Sequence, residues 1–321
     1  MFVKMFLLCC LIAAVSANQE EFDNFKLKFG KAYATASDHQ QRYEIFKSNL
    51  QEIQEHNDKY DQGLVSWFKA VNQFCDLTTE EFKTLYLTRN MLEDDHSEHH
   101  KVHELITEIP DKIDWRTEGY VTAVKDQGMC GSCWAFSTTG TLEGAYAKKY
   151  GKLVEFSEQE LIDCSTISAG YNCKGCCGGR MDEALRYVID HGIVTEEFYP
   201  YQEKMAICRQ NGSVFQISDV IKIPKNDEDS LKNAVGSVGP VSVALNCDDI
   251  KNYGGGIYDN EECSTVVNHA VLAVGYDSAD GMDYWIFKNQ WNTTWGEDGY
   301  IRMKIGKNLC GLARQACYAK V

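Results

Sequence analysis

Cysteine attacks a carbonyl only as its thiolate, and a helix N-terminus stabilises that anion through unpaired N–H groups and the helix dipole. Cys133 stands at such a place. Ser132 before it is a good N-cap type, the residues after it read as helix to about Tyr150, and Gly151 supplies the stop. Such a nucleophile needs a base, which comes from a distant part of the chain. Cys130-Gly-Ser-Cys133 also has the Cys-x-x-Cys spacing of a thiol–disulfide exchanger, a reading that requires a preceding strand in a βαβ unit.

The elements that must position this cysteine are legible in outline. A second helix is expected over 180–191, stopped at Gly192. The period then changes: 241–245, 270–276, 284–288 and 300–305 read as strands between glycine-rich turns. A helical half followed by a strand-rich half predicts an α+β enzyme with a cleft between two lobes. Residues 18–92 read as polar and helical, with Tyr43, Ile45, Phe46, Leu50 and Ile53 mostly at helical spacing. Residues 93–108 mix acidic residues with His96, His99, His100 and His103, half of the eight histidines, and read as an exposed linker. Its histidines suggest a segment that loosens on acidification; a plain solvated hinge is the competing reading.

Composition narrows the class. The chain has 321 residues, 44% of them apolar, and a formal charge of -15. That acidity argues against a nucleic-acid partner. Residues 1–17 carry Lys4, an apolar run through Phe6, Leu7, Leu8, Leu11 and Ile12, and a small-residue end at Val15-Ser16-Ala17. They read as a signal peptide, too short to span a bilayer. Secreted or lysosomal residence follows, without membrane insertion. Eleven of the 14 cysteines lie from Cys130 onward. In an oxidising compartment that odd number implies bridges plus a free thiol, and it makes a zinc site from the 173–177 cysteines the weaker reading.

Gln127-Gly-Met-Cys130-Gly-Ser-Cys133-Trp134 resembles the active-site signature of the papain-like cysteine proteases. Asn268-His269-Ala270 and Lys288-Asn289-Gln290-Trp291 stand downstream in the family's order. The resemblance implies a papain-like two-lobe fold, a helical lobe plus a β-barrel-like lobe, preceded by a helical pro-segment. It implies that Cys133 is the nucleophile, His269 its partner and proton donor, Asn289 the orienter, and Gln127 with the Cys133 N–H the oxyanion donors. The N-terminal region resembles the inhibitory pro-segment of cathepsin L-like enzymes: Arg42, Phe46, Asn49, Ile53 and Asn57 stand at the family spacing, with Asp38 where glutamate is usual. Asn72-Gln-Phe74-Cys-Asp76 resembles a second pro-segment signature, with Ala70 where glycine is typical. The implied organisation is a signal peptide over 1–17, an inhibitory propeptide over 18–108 and a mature peptidase over 109–321, beginning near Ile109-Pro110.

The resemblance also implies disulfides Cys130–Cys176, Cys164–Cys208 and Cys263–Cys310, and leaves the pairing of Cys173, Cys177, Cys247 and Cys317 open. Carried-over substrate contacts are Gly179, Asn268 and Trp291. The pocket for the second residue before the cut takes Met181, Ala244, Val267 and Gln315. Gln315 and a rim Arg180 suggest an apolar preference broadened toward polar or basic side chains. No His-His pair occurs after residue 109, which favours endopeptidase action. No cofactor or metal is implied. The implied partners are protein and peptide substrates, the chain's own propeptide and cystatin-type inhibitors, with a monomeric enzyme. The rival from another class is an inactive homologue acting as a binder, whose mark would be a missing triad member. Gln290 stands where a serine is usual and Asn292 where a glycine is. Asn211 and Asn292 each open a glycosylation sequon, used or unused.

Overall fold

Helix α2 (Ala36–Asp61) begins at Thr35, whose hydroxyl accepts the Asp38 N–H, and buries Tyr43, Phe46, Asn49 and Ile53 along one stripe. That stripe packs on Phe22 and Phe25 of α1 (residues 18–29) and on Cys75. The computed structural model describes residues 18–88, 101–210 and 212–321; the segment read as a signal peptide, His96, His99, His100 and Asn211 lie outside them.

The polar residues of the N-terminal signature are hydrogen-bonding elements of this segment. Arg42 donates to Asp76 O and pairs with Glu81. Asn49 donates to Cys75 O and Leu77 O, and Asn57 binds both backbone polar groups of Lys69. Helix α3 (Thr79–Tyr86) opens with a capping box between Thr78 and Glu81. The segment is anchored to the rest of the protein by Lys251, 5% exposed, which donates to Asn49 Oδ1 and Leu77 O.

The remainder forms two lobes. One core gathers Trp134, Leu142, Phe156, Leu161, Leu185, Val188 and Phe215 around α4 (Cys133–Tyr150), α5 (Glu158–Cys164) and α6 (Met181–His191). The other gathers Val241, Leu245, Val271, Trp285, Phe287 and Met303 from the strands, Leu231 from α7 (Glu228–Ser237), and Trp291 and Trp295 from the loop after Lys288. Glycines close α4 and α6: Gly151 and Gly192 have φ of 65° and 74°, values a side chain rarely adopts. The expected strands appear as β5 (Val241–Leu245), β7 (His269–Ala279), β8 (Met282–Lys288) and β9 (Tyr300–Lys304), joined by β10 (Gln315–Lys320).

Two corrections concern the segments around these lobes. Ser132 occupies the position before α4, but its hydroxyl makes no cap; it bonds Cys130 O and the Tyr201 hydroxyl instead. Residues 101–103 are not a free linker. β2 (Lys101–Val102) pairs in parallel with β4 (Asp219–Lys222), and His103 is buried against the Tyr318 hydroxyl and Asn233 Oδ1. At the opposite edge, β1 (Trp67–Lys69) pairs antiparallel with β6 (Tyr253–Tyr258). The sheet order β1-β6-β9-β8-β7-β5-β10-β4-β2 therefore puts N-terminal strands on both edges. Unpaired edge groups seek partners, and hydropathy patterning does not say which strand will supply them.

Three disulfides staple the lobes: Cys130–Cys176, Cys164–Cys208 and Cys263–Cys310. Cys75, Cys133, Cys173, Cys177 and Cys247 are in no disulfide, so more than one thiol is reduced.

Candidate active site

Cys133 is the first residue of α4 and is fully buried. Burial pushes its thiol above the ordinary value, and the Thr88 hydroxyl, followed by the backbone N–H groups of Ala270, Trp134 and Cys133 itself, opposes that shift. The Thr88 hydroxyl lies 3.5 Å from Sγ. Thr88 also donates its N–H to Asn268 O at 2.8 Å and is itself buried. The N-terminal segment thus lies directly over the thiol.

His269 begins β7, opposite Leu245 of β5, and the next residue supplies the Ala270 N–H at the thiol. Its Nε2 is 2.9 Å from Asn289 Oδ1. That oxygen also receives the Gln290 N–H at 2.9 Å, which fixes it as an acceptor. His269 Nε2 therefore carries the proton and donates it, leaving Nδ1 as the basic nitrogen. Nδ1 and Asn289 Nδ2 are buried and have no hydrogen-bond partner among the described residues. The Trp291 ring covers the imidazole, its centroid 4.6 Å away, and excludes water from the His269–Asn289 bond. Burial lowers the His269 pKa to about 4 against the opposing pull of Asn289.

That shift has a signed consequence. His269 stays neutral in the folded precursor down to about pH 4, whereas an unfolded histidine takes its proton near pH 6.5. Between those values the unfolded chain binds more protons, so this group's effect is that stability falls as pH drops from about 6.5 to about 4, by on the order of 3 kcal/mol. Thermal unfolding of the Cys133→Ser precursor at pH 7 and 4.5 measures the drop. His269→Gln in the same background is expected to flatten it, and an unchanged drop would refute the assignment.

Gln127 is fully buried, and its Nε2 donates to Cys130 O at 2.9 Å and to Tyr86 O, at the end of α3, at 3.2 Å. Gln290 links it to the histidine: Gln290 Nε2 is 3.0 Å from Gln127 Oε1, 2.9 Å from Ala270 O and 3.1 Å from His269 Nε2. Tyr86 and Thr88 were not singled out in the sequence. They belong to neither N-terminal signature, and only their contacts reveal them.

The substrate-contact candidates fall around this centre. Gly179 has no room for a side chain, because a Cβ there would sit 2.5 Å from the Trp134 ring. Met181, Ala244 and Val267 share one buried cluster, and Gln315 is in register with Ala244 across β5 and β10. Met181 and Gln315 line a cavity of about 230 Å³. Arg180 does not stand free on its rim. It is 7% exposed and bonds Asp182 through Nε (3.0 Å) and Nη2 (2.6 Å), where Lys222 also binds. Asn268 binds Asp248 Oδ1 through Nδ2 and receives the Cys247 N–H at Oδ1. Asn292 is exposed, with φ 62°, and its Nδ2 is 3.4 Å from Asp126 Oδ2. Among the described residues no cluster of His, Cys, Asp and Glu could hold a metal, and no helix is long and apolar enough to cross a membrane.

A cysteine on a helix N-terminus, an asparagine-held imidazole and a covering N-terminal segment define an autoinhibited thiol peptidase, and the chain belongs to the papain family of cysteine proteases. Residues 109–320 match the papain family cysteine protease domain, and residues 22–82 match the cathepsin propeptide inhibitor domain. A cathepsin L-like proteinase of Fasciola hepatica is 44% identical over 98% of this chain and 97% of its own length. Digestive cysteine proteinase 1 of Homarus americanus is 41% identical over 99% of both. The solved structure of digestive procathepsin L 3 from the Tenebrio molitor larval midgut superposes with a TM-score of 0.88 at 40% identity, covering 95% of this chain and 99% of that one.

Proposed function

We infer that the chain is the zymogen of a cysteine endopeptidase in which Cys133 and His269 carry out acyl transfer. Cys133 Sγ, its proton already on His269 Nδ1 in a thiolate–imidazolium pair, attacks the scissile carbonyl carbon as the thiolate. The carbonyl oxygen becomes an oxyanion held by Gln127 Nε2–H and the Cys133 N–H. As the tetrahedral species collapses, the C–N bond breaks and His269 returns its proton to the departing amine. The thioester left on Cys133 is hydrolysed by a water that gives its proton to His269, and expulsion of the Cys133 thiolate restores the pair. Asn289 keeps Nε2 protonated so that Nδ1 stays available throughout.

The observation that carries this reading is the Tyr86 carbonyl accepting from Gln127 Nε2 while Thr88 lies on the thiol. A peptide carbonyl already occupies the oxyanion donor, in a segment that matches a propeptide inhibitor domain. The proposed organisation is a signal peptide over 1–17, a propeptide over 18–108 and an enzyme over 109–321, cut near Ile109-Pro110. Met181, Ala244 and Val267 suit an apolar side chain at the second residue before the cut, and Gln315 adds tolerance for polar ones. The pairing of Arg180 and Lys222 with Asp182 gives no support to a basic preference. We assign the enzyme to the secretory route or lysosome, as a monomer open to cystatin-type inhibitors, with Asn211 and Asn292 as candidate glycosylation sites.

Titration of the acid-matured protein with an epoxide inhibitor of papain-like enzymes, followed by peptide mapping, tests the nucleophile. One equivalent on Cys133 with parallel loss of peptidase activity is expected. Activity that survives stoichiometric labelling, or a label on another cysteine, would overturn the assignment.

A further inference from the structure

The geometry points to Gln290 as the residue that sets which end of the Gln127 amide faces the reacting carbonyl, a positioning role for the oxyanion donor. An amide side chain offers donors at one end and an acceptor at the other, and a half-turn about its last bond exchanges them. Only one orientation helps, since a carbonyl turned toward the developing oxyanion repels it. A side chain with that freedom needs a neighbour that makes the choice.

Gln290 is 4% exposed and touches both halves of the machinery. Its backbone oxygen accepts the Gln127 N–H at 3.0 Å, and its own N–H holds Asn289 Oδ1. Its Nε2 has two hydrogens and three neighbours. His269 Nε2 already carries the proton it gives to Asn289, so it cannot accept another. The two hydrogens therefore go to Ala270 O and Gln127 Oε1. Ala270 O is a backbone carbonyl that can only accept, so it dictates the orientation of the Gln290 amide. Gln290 in turn requires an acceptor from Gln127, which turns Gln127 Nε2 toward Cys130 O and Tyr86 O. In a buried site, reversing either amide would set oxygen against oxygen, and the low local dielectric makes that costly.

The inference rests on reading Gln127 as an oxyanion donor. Gln290→Met keeps the length of the side chain and removes both donors. Gln290→Glu sets an acceptor against Gln127 Oε1 and favours the reversed amide. Each is made in the full-length precursor, matured by acid and assayed at its own pH optimum. Rates are expressed per epoxide-titrated site, so that misfolded molecules do not count. Removal of one oxyanion donor lowers kcat by about 100- to 1000-fold in a well-studied hydrolase. On that scale Gln290→Glu is expected to lower kcat about 10- to 100-fold and Gln290→Met about three- to tenfold, with KM within about threefold. In a Gln127→Ala background either change is expected to cost less than about twofold, because the group it acts through is gone.

Equal losses with and without the Gln127 side chain would overturn the role, as would a Gln290→Glu enzyme of wild-type kcat. If the glutamate variant gives no titratable site, the near-isosteric methionine variant supports the same comparison. A wild-type enzyme indifferent to Gln127→Ala would instead defeat the oxyanion reading, so the two failures are told apart.

Discussion

Freeing the enzyme from residues 18–108 is expected to raise the rate at which iodoacetamide alkylates Cys133 at pH 7 by at least about 100-fold. In the precursor the thiol is fully buried, capped by Thr88, and shifted upward by burial. Even a thiol of ordinary pKa, about 8.5, is only a few per cent thiolate at pH 7, and this one is less. Burial acts on the imidazole in the opposite sense, holding it neutral to about pH 4. Both shifts favour a neutral thiol–imidazole pair over the thiolate–imidazolium pair that reacts. When the pro-segment leaves, water returns to the cleft and the penalty on both charges falls together. The helix N-terminus and the Ala270 N–H remain to favour the thiolate. Alkylation of the precursor should then rise about tenfold per pH unit from pH 6 to 8, while that of the mature enzyme stays nearly level. A precursor alkylated within tenfold of the mature rate would show that the segment blocks substrate without changing the ionisation of the pair.

The largest effects on turnover are expected from the pair itself. Cys133→Ala and His269→Ala should each lower kcat by at least about 10⁴-fold, and the double variant should be little worse than either alone. Residues that act as one unit lose the unit's contribution once, as triad deletions in other hydrolases illustrate. Both variants should also persist as full-length precursor at acid pH wherever maturation is autocatalytic. The check is kcat of protein processed by a catalytic amount of wild-type enzyme, so that the pro-segment is absent in every sample. Losses that multiply across the double variant would mean that the two side chains act independently, which no shared proton transfer allows.

Much of this protein is readable from its order of residues because the relevant physics is local. A glycine after Tyr150 ends α4, because φ of 65° is open to glycine and strained for most other residues. The short, mostly apolar runs at 241–245 and 284–288, bounded by turn residues, give strands, and the fold buries both faces of each. The spacing of Phe46, Asn49 and Ile53 puts them on one helix face wherever that helix docks. Cys133 at the start of a helix is likewise a local fact, and its helix N-terminus comes with it. The family resemblance added partners for it that local reasoning cannot find: a histidine 136 positions later in the chain, and an asparagine beyond that.

What only the tertiary structure decided depends on which distant groups meet. Ser132 is the right type for a cap, but a nearby tyrosine hydroxyl drew its oxygen away. The histidine-rich stretch has the composition of a linker, yet residues 101–103 found an open sheet edge and a buried site for His103. Gln290 departs from the family pattern; two acceptors within 3.0 Å, Gln127 Oε1 and Ala270 O, with His269 Nε2 at 3.1 Å, place it between Gln127 and His269. The ionisation of Cys133 and His269 is of this kind too. A charge costs free energy in proportion to the water removed from around it, and that water is removed by Thr88 and Trp291, residues contributed by two different parts of the fold. Sequence determined which groups are present and which backbone segments carry them. The desolvation and hydrogen-bond geometry that fix their protonation arise only when those segments pack.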